Sequence, residues 1–153
     1  MLKRLHPVAG AIAILMIATF WLSTTLSELF GAPATVVAVK SAVPWGLLVL
    51  VPALALTAGT GFKRAGGRRI GLVPAKIGRM PWIAANGVLI LVPSALYLAW
   101  KAQAGTFDAS FYAVQALELA AGACNLVLLG LNMRDGLRMT ATSGAGLHSR
   151  APT

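Results

Sequence analysis

Apolar positions in this chain gather into four long runs, Pro7 to Phe30, Thr35 to Gly59, Pro81 to Gln103 and Ala109 to Met133. Each approaches or exceeds the roughly 20 apolar residues that a helix needs to cross the hydrocarbon core of a bilayer. The pattern predicts an all-α fold, an integral membrane four-helix bundle with antiparallel up-down-up-down neighbours, over residues 1–139. A tail rich in Ser, Thr, Gly and Ala, residues 140–153, is expected to be disordered and cytoplasmic.

The few polar positions inside these runs are more informative than the apolar ones. In the last run Glu118, Asn125 and Asn132 recur at steps of seven, with Gln115 one turn before the first, so a helix presents them as one stripe. Such a stripe cannot face lipid cheaply and must face protein or water. Small residues at Ala120, Ala121 and Gly122 would let a neighbouring helix approach. In the first run His6, Gly10, Ala13, Ile17, Trp21, Thr24 and Glu28 follow helical steps and define the face predicted to turn inward. His6 reads as an interfacial residue touching headgroups or the central loop. Pro7 suits a first helical turn, because its missing amide hydrogen would be unpaired there anyway.

Gly31-Ala32-Pro33 predicts a tight turn into the second helix. Lys40 lies about 8 Å inside that helix, deep enough either to snorkel or to pair with a carboxylate. Pro44 and Pro52 each free a backbone carbonyl there. In the third run Asn86, Pro93 and Tyr97 fall on one face, and Tyr97, Trp100 and Lys101 approach the outer interface. Asp108 is placed to cap the fourth helix, which Gly136 is expected to terminate.

Depth along the helices sorts these residues into two tiers. Glu118, at about 13 Å, and Gln115, at about 9 Å from the outer start of their helix, lie level with Lys40, with Glu28 above them. Asn86 and Asn125 form the inner tier, with Asn132 and His6 at its edge.

Composition agrees with the membrane class: of 153 residues 58% are hydrophobic and 11% charged, too few polar groups to clothe a soluble globule. A formal net charge of +9 raises nucleic acid as a partner, but the positions of the charges argue against it. Lys3 and Arg4, then Lys63, Arg64, Arg68, Arg69, Lys76 and Arg79, then Arg134, Arg138 and Arg150 all fall on one side of four crossings. That is the positive-inside pattern, placing both termini and the central loop, Thr60 to Met80, in the cytoplasm of a bacterial-type inner (plasma) membrane. The six loop cations are expected to contact anionic lipid headgroups. The glycines of that loop match neither nucleotide-binding fingerprint. Lys3 and Arg4 before an apolar run also resemble a secretory signal, but the run is longer than such signals and is expected to remain as a helix.

Cys124, the single cysteine, excludes an internal disulfide and a cysteine-based metal cluster. No cofactor is predicted: haem and quinone suit four-helix membrane bundles, but bis-histidine haem needs a second facing histidine, and His148 lies in the tail. No triad or metal cluster points to a self-contained enzyme. The candidate intramembrane site therefore comprises Glu118, Lys40, Asn125, Gln115, Asn86, Glu28 and His6. Two uses compete: polar contacts that hold a bundle serving as an interaction or accessory subunit, with a homo-oligomer or another membrane protein as partner, and a small-solute or proton-coupled transporter. In outline the chain is similar to small bacterial inner-membrane proteins with four helices, and no motif names a family.

Overall fold

The computed structural model describes residues 2–65 and 73–148, with side chains described over 5–61 and 78–138. The chain crosses four times. Helix α1 is Leu2–Phe30 and α2 is Pro33–Ala65; the third crossing combines α3, Val73–Asn86, a π-helical turn, Gly87–Leu91, and α4, Val92–Gln103; the fourth is α5, Ala109–His148. The spans apolar and long enough to cross a membrane are Leu5–Phe30, Pro33–Gly61, Gly78–Gln103 and Ala109–Arg138. No more than 28% of any span's most apolar window is buried, so most of its side chains face outward, as befits a multi-pass protein solvated by lipid.

The crossings pack cyclically: α1 against α2, α2 against the third crossing, that crossing against α5, and α5 back against α1. Helices α2 and α5 therefore face each other across the diagonal, and both start at the same end of the bundle. That end, the hairpin end, holds residues 31–32 and 104–108. Two apolar clusters fill the interior. Ala13, Ile17, Leu50, Ala53, Ile83 and Leu129 pack centrally, while Val36, Leu98, Ala102 and Phe111 pack toward the hairpin end.

The connections arise from local chemistry. Gly31 donates its amide to the Ser27 carbonyl at 2.9 Å, and Pro33 opens α2 where an amide hydrogen would be unpaired. Gly105 ends α4 with φ +66°, the left-handed conformation glycine adopts at least cost. The Thr106 amide then bonds the Lys101 carbonyl at 3.0 Å and the Gly105 amide the Ala102 carbonyl at 3.0 Å, the double closure of a Schellman cap. Asp108 caps α5 as expected, its Oδ1 accepting from the Phe111 amide at 3.0 Å.

Several expectations are corrected. Helix α1 begins at Leu2, so Pro7 lies inside it instead of opening it, and simply leaves one carbonyl without its helical donor. The central loop is shorter than Thr60 to Met80, because α2 continues to Ala65 and α3 begins at Val73. Helix α5 runs through Gly136 to His148 instead of stopping for a disordered tail: no proline follows Asp135 until after His148, so each carbonyl finds its donor. Residues 66–72 and 149–153 lie outside the described residues.

The π turn has an identifiable cause. Pro93 has no amide to offer the carbonyl four residues back, and the Val92 amide reaches the Gly87 carbonyl, a five-residue step. The widened turn rotates α4 relative to α3. Asn86 and Pro93 consequently do not share a face: Asn86 points at α5 while Pro93 is exposed. Ser94, Ala95, Leu98, Ala99, Lys101 and Ala102 form the buried side of α4 instead.

Candidate functional site

The stripe on α5 faces inward throughout. Gln115, Asn125 and Asn132 are at most 4% exposed, and Glu118 engages a partner across the bundle. Lys40 leaves α2 on its inner face, is 1% exposed, and donates from Nζ to Glu118 Oε2 at 2.6 Å. Its four-carbon stem spans the diagonal that the two backbones leave open. Glu28, two residues from the end of α1, lies within electrostatic reach of both Lys40 and Glu118. Among the described residues, two side chains here hold buried polar atoms without a hydrogen-bond partner. Glu28 Oε1 is buried without a hydrogen bond, and so are both Oε1 and Nε2 of Gln115.

Directly inward of the ion pair lies a cavity of about 60 Å³. Its wall draws on all four crossings, with Trp21 and Thr24 from α1, Leu47 and Leu50 from α2, Ala95 from α4, and Glu118 and Gly122 from α5. Glu118 is the one charged residue lining it. Trp21 is fixed there from two directions: its indole Nε1 donates to the Leu119 carbonyl at 3.0 Å, and Gly122 leaves the gap in which the ring sits. A Cβ on Gly122 would come within 3.1 Å of Trp21 Cδ1.

The inner tier is a set of links between α3 and α5. Asn86 Nδ2 donates to the Ala121 carbonyl at 2.8 Å and to Asn125 Oδ1 at 2.9 Å, and Asn125 Nδ2 reaches the Ile83 carbonyl at 3.5 Å. Two turns further from the hairpin end, Arg79 donates to Asp135 Oδ2 at 2.7 Å and to Asn132 Oδ1 at 3.3 Å. Arg79 is thereby turned onto α5, where it meets a carboxylate that is 2% exposed. The side chains of Lys63, Arg64, Arg68, Arg69 and Lys76 lie outside the described residues.

His6 belongs to a separate contact, between α1 and α2. Its Nδ1 stands 3.1 Å from the Thr57 carbonyl and 3.0 Å from Thr60 Oγ1. A carbonyl only accepts, so Nδ1 carries the proton and donates. Gly61 gives the ring room, since a Cβ there would meet His6 Cε1 at 3.3 Å. The structure thus joins Lys40 with Glu118 toward the hairpin end and Asn86 with Asn125 midway, leaves Gln115 buried without a hydrogen bond, and sets His6 apart. Among the described residues no group of three or more His, Cys, Asp or Glu side chains is placed to hold a metal ion.

At the membrane edge Lys101 reaches past the end of α4 to the loop that precedes α5. It is 9% exposed, donates to Asp108 Oδ2 at 2.5 Å and lies 5.7 Å from the centre of the Tyr97 ring. The Lys101 ammonium, then the Ser110 hydroxyl and the Phe111 amide, hold the Asp108 carboxyl well below the usual carboxylate range. The Asp108 carboxylate therefore fastens α4 to the start of α5.

Sequence reasoning missed the Arg79–Asp135 link, although its signal was present. Helices α3 and α5 run antiparallel, so residues seven before Asn86 and seven after Asn125 must meet; these are Arg79 and Asn132, and Asp135 continues the same face one turn on. Comparison with protein-family models, curated proteins and solved structures finds no match to this chain.

Proposed function

We propose that this protein is an interaction or accessory subunit of a bacterial-type inner membrane, with both termini cytoplasmic. One observation carries the reading: apart from Gln115, the polar stripe of α5 is spent on its own neighbours, Glu118 on α2, Asn125 on α3, and Asn132 with Asp135 on Arg79. Interhelical hydrogen bonds in membranes average about 0.6 kcal/mol, so such links fix register and helix rotation more than they add stability. A bundle locked in this way offers a rigid apolar exterior, on which Trp45, Leu89, Trp100 and Val127 stand out, to a neighbouring membrane helix. The one-sided basic residues support the topology, and the loop cations are the groups that would meet anionic headgroups.

A native mass spectrum of the protein released from its membrane in mild detergent tests this. The expected species contains a second, different membrane protein at fixed stoichiometry; a lone chain or homo-oligomer that retains haem, quinone or a small solute overturns it. A second reading, small-solute or proton-coupled transport, is favoured by the cavity that opens onto Glu118.

A further inference from the structure

Two arginines share Asp135. Its Oδ2 accepts from Arg79 Nη1 at 2.7 Å and its Oδ1 from Arg134 Nη2 at 3.4 Å, so one guanidinium from α3 and one from α5 stand on a single carboxylate that is 2% exposed. One arginine would neutralise that carboxylate; the second leaves the contact with one positive charge in excess. The hydrogen bonds are uneven in the same sense. Both oxygens of Asp135 are taken, whereas Arg79 bonds from Nη1 alone and Arg134 from Nη2 alone, so among the described residues the other N–H groups of both forks have no acceptor. Asn132 adds a further donor: its Oδ1 is turned to Arg79, and its Nδ2 is buried without a partner. What this contact lacks is an acceptor that carries negative charge.

Its place in the fold narrows the source of that acceptor. Arg79 lies in the first turn of one membrane span, Gly78–Gln103, and Arg134 near the last of the next, Ala109–Arg138, so both guanidiniums sit where these spans reach the bilayer surface. Both can be reached from outside, with side chains 25% and 54% exposed. Trp82, one turn along α3 from Arg79, is 73% exposed, and outward indoles at this level mark the headgroup region.

We propose that Arg79 and Arg134 form a binding site for a phosphate anion, presented by the headgroup of an anionic lipid. The two unesterified oxygens of a phosphodiester match guanidinium forks, which bind phosphate bidentately. Asp135 is the positioning residue: it holds both forks at the edge of the bundle, where the lower dielectric strengthens the pull of the excess charge on an anion. A zwitterionic headgroup carries its own cation and gains less. The site deepens the headgroup contacts proposed for the loop cations and rests on that reading in placing this end of the bundle among anionic headgroups; it needs no partner protein.

The test is native mass spectrometry of the intact protein, stripped of lipid in an uncharged maltoside detergent and titrated with dihexanoyl phosphatidylglycerol, with dihexanoyl phosphatidylcholine and inorganic phosphate as comparisons. Saturable retention of one phosphatidylglycerol is expected, with phosphatidylcholine held about fivefold more weakly or worse. Arg134→Gln leaves the Arg79–Asp135 bond in place and removes the excess charge, and should weaken binding about fivefold, the usual worth of one basic residue at an anionic surface. Lys63→Gln removes the same charge from α2, across the bundle diagonal, and should change affinity by less than about twofold, because distant exposed charges are screened. Arg79→Lys keeps the charge but loses the fork and should also weaken binding; it carries the test should circular dichroism show that Arg134→Gln fails to fold. No saturable binding, equal retention of phosphatidylcholine, or equal losses in Arg134→Gln and Lys63→Gln overturns the site, and so does inorganic phosphate bound as tightly as the lipid, since the ligand is then a free anion. A chain that retains no phosphatidylglycerol but still carries a second membrane protein would overturn the site and leave the subunit reading standing.

Discussion

Removing one member of the Lys40–Glu118 pair should cost far more than removing both. Lys40 is 1% exposed and, among the described residues, the carboxylate it bonds is Glu118, so Glu118→Gln takes the bonded counterion from an ammonium in the bundle's interior. Breaking a buried pair in this way costs about 3–5 kcal/mol, whereas replacing both charges by neutral groups of similar volume is commonly near neutral. Glu118 is 13% exposed and borders the cavity, where water can solvate it, so Lys40→Met should fall lower, at about 2–3 kcal/mol. The double variant Lys40→Met with Glu118→Gln should lie within about 1–2 kcal/mol of the parent. Reversible unfolding in mixed micelles, driven by sodium dodecyl sulfate and followed by helicity and tryptophan fluorescence, closes the double-mutant cycle. Single variants that each cost under about 1 kcal/mol, or a double variant as damaged as the sum of the two, would refute the reasoning.

Other perturbations test separate contacts. Gly122→Ala puts a methyl group within 3.1 Å of Trp21 Cδ1 and should displace the indole from the Leu119 carbonyl, costing about 1–3 kcal/mol and shifting tryptophan emission; an unchanged spectrum and Tm would mean that α1 and α5 are not this close. Gly105→Ala forces a side chain into φ +66° and should lower stability by about 1–2 kcal/mol in the same micelle assay, with no loss meaning that the cap is not left-handed. Because the folded state holds Asp108 below its ordinary range, its contribution is complete above the unfolded carboxylate value near 3.9 and is lost as pH falls toward the lower folded value. Tm measured from pH 6 downward should therefore drop less steeply in Asp108→Asn than in the parent; equal slopes would mean that the Asp108 carboxylate does not fasten α4 to α5.

The four spans were legible because crossing a membrane requires an uninterrupted apolar run, which no other fold needs at that length. The inward stripe was legible for a related reason: in lipid a polar side chain has nowhere else to turn. Matching depths along two helices set Lys40 level with Glu118 but left open whether it snorkels or pairs, which depends on how the two helices are rotated. Three features escaped. The π turn at Gly87–Leu91 depends on how the chain absorbs one missing amide at Pro93, a choice that periodicity cannot anticipate, and it altered which residues share the Asn86 face. The turn of Arg79 onto α5 depends on Asp135, whose own burial required α5 to continue past Gly136. The cavity was invisible because it is a gap among side chains from four separate crossings.

The bundle depends on α5 turning its polar stripe onto α2 across the interior. Solid-state nuclear magnetic resonance on the protein in lipid bilayers, with ¹⁵N-lysine and ¹³C-glutamate labels, measures that relation directly. With Lys40 Nζ 2.6 Å from Glu118 Oε2, dephasing should report a nitrogen-to-carboxyl-carbon separation of about 3–4 Å that disappears in Lys40→Met. A signal that survives Lys40→Met, or no lysine–glutamate separation under about 6 Å, would contradict the inward stripe and the bundle built on it.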